Sequence, residues 1–146
     1  MEGTMTTYSF SAVSCTIQHP LVGQKVINGS GIGSITVAYS DNNTESDLGA
    51  DGSVMISKVL SHRGTISIEL QQTSSVNKWL VNLANALDNA DASQWANGTV
   101  RIAENFTDGI TTNATKVAIV KRPDHKNEQN GGRVSWELFS PEIIES

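Results

Sequence analysis

The sequence predicts a mainly β fold, a sandwich or barrel, with one α-helix covering an open end or edge. Three observations predict it. Ser, Thr, Val, Ile, Asn and Gly dominate the 146 residues, and only 17% are charged; strands favour the β-branched members of that set and turns favour Gly and Asn. Apolar and polar residues alternate with period two in several short runs. One run has helical spacing instead.

The first strand is expected over residues 6–18. Tyr8, Phe10 and Ala12 alternate with serines, and the phase then switches to Val13, Cys15 and Ile17. A one-residue slip exchanges the two faces, so a bulge or bend is expected near Ala12. His19-Pro20 ends the run, because Pro donates no ladder bond and biases its predecessor. A glycine-rich connection follows, with Asn28-Gly29-Ser30-Gly31 as its turn signal. Residues 34–40 form the next strand, with Ile35, Val37 and Tyr39 on one face and Ser34, Thr36, Ala38 and Ser40 on the other. An acidic connection, Asp41-Asn42-Asn43-Thr44-Glu45-Ser46-Asp47-Leu48-Gly49-Ala50-Asp51-Gly52, is then expected to be irregular. It is too long for a tight hairpin, and a structureless connection of about a dozen residues is uncommon unless it carries a function.

Strand character resumes over residues 53–60, and Ser61-His62-Arg63-Gly64 makes a short turn. Residues 65–73 are the clearest strand: Ile66, Ile68 and Leu70 alternate with Thr65, Ser67, Glu69 and Gln71. Val76, Leu80, Leu83, Ala84 and Leu87 fall on one face of a helix over residues 75–89, with Trp79 beside the stripe and Ser74 or Ser75 as N-cap. Strands follow over residues 99–104, 115–121 and 133–139, the last with Val134, Trp136 and Leu138 on one face. The tail from Pro141 is short and acidic. No repeat, linker or composition break divides the chain, so a single domain over residues 1–146 is expected.

Composition argues against several function classes. A formal net charge of −5 repels nucleic acid, whose affinity for proteins comes largely from Lys and Arg on phosphates. No apolar run approaches a membrane span, and residues 1–10 lack a secretory signal. Cys15 is the sole cysteine, so no internal disulfide is expected; a soluble protein of a reducing compartment is the reading.

Catalytic and metal chemistry find no support. Cys15 sits in an apolar strand, where a small buried hydrophobe is expected. His19, His62 and His125 stand beside turns, without metal-ligand spacing, and read as exposed loop histidines. Asp41, Glu45, Asp47 and Asp51 resemble a calcium loop, but Gly49 and Gly52 are misplaced and no closing Glu follows. Gly29, Gly31 and Gly33 precede a strand rather than opening a helix, so no phosphate cradle is expected. Acceptor-like triplets at Asn28, Asn42, Asn97, Asn105 and Asn113 read as turns. No catalytic, cofactor or metal residue is assigned, and no cofactor is expected.

An ordered set of landmarks goes further. Thr7-Tyr8-Ser9-Phe10 stands near the start. Gly49-Ala50-Asp51-Gly52 leads into a strand, followed by Gly64-Thr65-Ile66-Ser67-Ile68-Glu69-Leu70. Thr73-Ser74-Ser75-Val76-Asn77 opens the helix, and Gly131-Gly132-Arg133-Val134-Ser135-Trp136-Glu137-Leu138 closes the set. In order and spacing, over nearly the whole chain, this resembles the tail tube proteins of contractile-tailed bacteriophages, related in fold to the tube protein of type VI secretion. The resemblance implies a β-sandwich or incomplete barrel with one flanking α-helix. It implies a structural, non-enzymatic subunit of the virion, assembled in the host bacterial cytoplasm. Its partners would be copies of itself, in homohexameric rings stacked into a tube, with tail sheath, baseplate and tail-terminator proteins. Phage DNA would pass through without specific binding.

In that family a long loop between two early strands reaches a neighbouring subunit or ring, and residues 41–52 occupy its place. The expected lumen face combines Ser34, Thr36, Thr65, Ser67, Glu69 and Gln71. Small polar residues suit a passage for DNA, and Glu69 adds negative charge that discourages phosphate contact. The alternatives are a related virion part (a tail terminator or baseplate tube piece), a type VI-like tube, and a soluble ligand-binding β-sandwich. The last would need aromatics on a groove, whereas Trp79, Trp95 and Trp136 are scattered over a helix, a turn and a strand.

Overall fold

A computed structural model describes residues 12–27, 32–106, 108–124 and 126–146. Tyr8, Phe10, the Asn28–Gly31 turn signal and His125 lie outside these. The elements run β1 (Val13–His19), β2 (Gly23–Ile27), β3 (Ile32–Tyr39), β4 (Thr44–Leu48), β5 (Val54–Lys58), β6 (Gly64–Gln71), α1 (Ser75–Asp88), α2 (Ala92–Trp95), β7 (Gly98–Glu104), β8 (Thr111–Lys121), β9 (Arg133–Ser140) and β10 (Glu142–Glu145).

The strands join in the order β2-β1-β7-β8-β9-β6-β3, every pair antiparallel, and β10 adds to β8. β8 works as the corner. Its first half pairs with β7 and β10, and its second half pairs with β9. Between them Lys116 takes φ 54°, and the register against β7 shifts, the kind of irregularity that bends a strand from one sheet into another. The buried Ser140 hydroxyl braces the corner by donating to the Thr115 carbonyl at 2.7 Å. The result is a sandwich of two sheets sharing one strand, an incomplete barrel that does not close.

Alternation fixes which faces meet. In β6, Ile66, Ile68 and Leu70 are fully buried and lie opposite Leu138, Trp136 and Val134 of β9. Cys15, Ile17 and Ile27 face them from the other sheet. Each such burial contributes about 1.5–3 kcal/mol. The α1 stripe Val76, Leu80, Leu83, Ala84 and Leu87 is buried in the same cluster, so the helix flanks the sandwich as its period predicts. Ser74 caps it, accepting the Val76 N–H at 3.2 Å. Trp136 Nε1 donates to Asn77 Oδ1 at 3.0 Å, and Asn77 Nδ2 donates to the Gln72 carbonyl. That chain pins the helix start to the core.

The structure differs from the sequence expectation in several places, among them a short helix, α2, where the sequence reading puts Trp95 on a turn, and a β8 that starts at Thr111 rather than 115. Residues 23–27 are a strand rather than a loop: a three-residue turn after His19 returns the chain against β1. Residues 142–145 are a short strand. Residues 44–48 are also a strand, as described below. His19 is not an exposed loop histidine but is 1% exposed at the end of β1. Its Nδ1 accepts the Leu21 N–H at 3.1 Å, so the turn itself folds the ring inward, while His62 is exposed as expected.

Candidate functional site: a projecting hairpin and a small polar sheet face

The acidic connection is half of a β-hairpin. Among the described residues β4 pairs with β5 alone, antiparallel, with Leu48 opposite Val54, Ser46 opposite Ile56 and Thr44 opposite Lys58. Residues 49–53 form the turn: Gly49 N–H donates to the Ser53 carbonyl at 2.7 Å, and Gly52 stands at φ 89°. Asp51 Oδ1 accepts both the Ser53 N–H and its hydroxyl, and these bonds hold its carboxyl below the usual carboxylate range. The reading as an irregular loop failed because every residue from Thr44 to Leu48 is exposed, so no buried face imposes an apolar period of two on the sequence.

Every residue of both strands is exposed. Cross-strand register puts Leu48, Val54 and Ile56 on one face, 71%, 61% and 71% exposed. Glu45, Asp47, Met55 and Ser57 occupy the other. A lone two-stranded hairpin is marginal in water, so its base matters. There Asp41 takes a two-pronged contact from Arg63, 2.7 Å from Nε and 3.2 Å from Nη2, and a 2.7 Å bond from the Ser61 hydroxyl. Hydrogen bonds from Arg63 and then Ser61 pull the Asp41 carboxyl down to about 2. The ladder continues below the hairpin through Val59 N–H to Asn43 O and Ser40 N–H to Arg63 O. The acidic residues thus divide by role: Asp41 clasps the base, Asp51 shapes the tip, and Glu45 and Asp47 line one face.

The second surface is the outer face of β3, β6 and β9. Register places Ser34 opposite Glu69, Thr36 opposite Ser67 and Ala38 opposite Thr65. On the other side Gln71 meets Arg133, Glu69 meets Ser135, Ser67 meets Glu137 and Thr65 meets Phe139. The six residues Ser34, Thr36, Thr65, Ser67, Glu69 and Gln71 therefore share one face turned away from the core. The sequence reading missed that β9 lies beside β6, and with it the charges Arg133 and Glu137. Arg133 Nη1 contacts Glu69 Oε1 at 3.0 Å. Glu69 therefore does not add uncompensated negative charge.

Elsewhere, among the described residues, no arrangement has catalytic logic. Cys15 is fully buried, and burial pushes its thiol up to about 12, far from a reactive thiolate. Among the described residues no group of three or more His, Cys, Asp or Glu could hold a metal ion. Trp136 is buried, Trp79 packs on the core and Trp95 is exposed on α2, so the tryptophans form no stacking platform.

Three solved structures share the architecture. A protein of the anti-feeding prophage baseplate aligns at TM-score 0.62 and 10% identity, covering 98% of this chain and 97% of that one. A protein of the anti-feeding prophage cap, a tube-terminating cap, aligns at 0.58 and 8%, covering 100% and 94%. A protein of an extracellular contractile injection system, in its extended sheath-tube complex, aligns at 0.56 and 10%, covering 96% and 91%. No curated protein sequence matches the chain. These alignments show that the chain shares the fold of tube-type proteins of contractile systems. The chain belongs to the bacteriophage PhiTE tail tube protein family, whose profile matches residues 5–145. It is therefore a virion component, and its family is structural rather than enzymatic.

Proposed function

We propose that this chain builds the tail tube by forming hexameric rings that stack, with the β3-β6-β9 face lining a bore through which DNA leaves. The observation that carries the reading is the hairpin. It has an exposed apolar face and, among the described residues, pairs with no other strand, which calls for a partner to bury that face. Residues 41–52 and β5 then contact a neighbouring subunit or ring. Among the described residues β2 and β3 end the strand order, and neighbouring copies would cover their outer edges. Such head-to-tail contacts close into rings and stack into tubes. The sixfold symmetry named for the anti-feeding prophage baseplate structure supports six copies. Sheath, baseplate and terminator proteins are the remaining partners, in line with the assemblies to which the similar structures belong.

The test replaces residues 44–58 with an Asn-Gly turn, leaving Asn43 and Val59 paired. Wild-type protein gives rings or hollow tubes by negative-stain microscopy, and the variant stays folded without tubes. Normal tubes from the variant reject the hairpin's role. Rings that never stack, in the wild type, favour a terminator or cap instead.

A further inference from the structure

The β3-β6-β9 face looks neutral, yet it holds a guanidinium suited to phosphate. Its charged residues, with Lys121 of β8 in register with Glu137, are Glu69, Glu137, Arg133 and Lys121. Arg133 extends across from β9 to β6, and Nη1 reaches Glu69 Oε1 at 3.0 Å, with the two side chains 55% and 40% exposed. The sequence makes room for this pose. Gly33 sits where the β3 register shifts between Ile32 and Ser34, and a Cβ there would run into the Arg133 guanidinium and meet Glu69 Oε1 at 2.9 Å. The glycine leaves a recess over which the ion pair lies.

As stability, such an exposed pair is worth little, about 0–1 kcal/mol. Its position suggests another use. Arg binds phosphate through the same planar fork that it offers a carboxylate. A free guanidinium on each copy, repeated around a ring, would grip a passing polyanion.

We propose that Glu69 is an intramolecular decoy for phosphate: it occupies Arg133 so that this face does not hold duplex DNA. The lumen placement of the face rests on the function proposed above; the decoy itself does not. Removing the carboxylate while keeping its shape, Glu69→Gln, exposes Arg133 and shifts the face by one positive charge per copy. Each phosphate neutralised on duplex DNA adds about −0.9 to the slope of log affinity against log salt. For one such contact, binding strengthens about threefold more between 200 and 50 mM salt than in the wild type.

The experiment measures fluorescence anisotropy of a labelled DNA duplex with the purified full chain at several salt concentrations. The expected result is a steeper salt slope for Glu69→Gln, restored to the wild-type slope in Glu69→Gln/Arg133→Gln. An unchanged slope in Glu69→Gln overturns the proposal. A steeper slope that survives the double substitution also overturns it, because the gain then comes from another cation. The same duplex mixed with Glu69→Gln during tube assembly and then treated with nuclease reports on the lumen separately. Protected duplex places the face in the bore. Digested duplex with the slope still changed rejects the bore while leaving the decoy standing.

Discussion

Polar substitution of the hairpin's apolar face, Leu48→Ser, Val54→Thr and Ile56→Thr, separates assembly from folding. The three side chains are 71%, 61% and 71% exposed, so the lone chain gains little from them. Surface changes of this kind stay within about 0.5 kcal/mol each, and Thr retains the strand preference of Val and Ile. On contact with a neighbour the same side chains would be buried. Complete burial is worth about 1.5–3 kcal/mol per side chain. About two-thirds of it is outstanding here, or about 1–2 kcal/mol each and about 3–6 kcal/mol per hairpin. At 1.4 kcal/mol per tenfold, the critical concentration for tube formation rises about a hundred- to ten-thousand-fold. Pelleting of tubes over a concentration series measures it, and a thermal melt of the unassembled chain checks the fold. A variant that melts like the wild type and polymerises at the same concentration refutes the burial of this face.

Two further substitutions test the scaffold. Asn77→Ala strips the buried Trp136 Nε1–H of its acceptor and should lower stability by about 1–3 kcal/mol, read as a lower denaturant midpoint at unchanged slope; an unchanged midpoint contradicts the pinning of α1. Asp41→Asn tests the hairpin base by pH. The Asp41 carboxyl titrates at about 2 in the fold, against about 3.9 unfolded. A lowered folded value contributes stability that is fully present above about pH 4 and is lost as the pH falls through about 2. The difference in melting temperature between wild type and Asp41→Asn should therefore be constant above pH 5 and shrink between pH 4 and pH 2; a difference independent of pH across that window argues against the clasp.

The parts of this fold that read directly from sequence are those in which one face is buried and the other wet. In β6 and β9, and along α1, apolar residues recur at the period of their element because a single core selects them, so Ile66, Trp136 and Leu80 were placed correctly. β2 and β10 escaped because they are short and because their partners, β1 and β8, set them as strands. β4 escaped for the opposite reason: an exposed hairpin has no inside face to write an alternation into the sequence. The polar face of β6 was legible from Thr65, Ser67 and Glu69, but its charge balance was not. Arg133 lies 64 residues from Glu69, and only strand order shows that they meet. His19 was misread because nearness to Pro20 suggested exposure, whereas the turn directs the ring inward.

Cryo-electron microscopy of tubes assembled from the purified full chain tests the central claim most directly. The account predicts stacked sixfold rings, with Ser67, Glu69 and Arg133 on the wall of the bore and Leu48, Val54 and Ile56 buried against another copy. A chain that remains monomeric at high concentration contradicts it, as do tubes whose β3-β6-β9 face points outward.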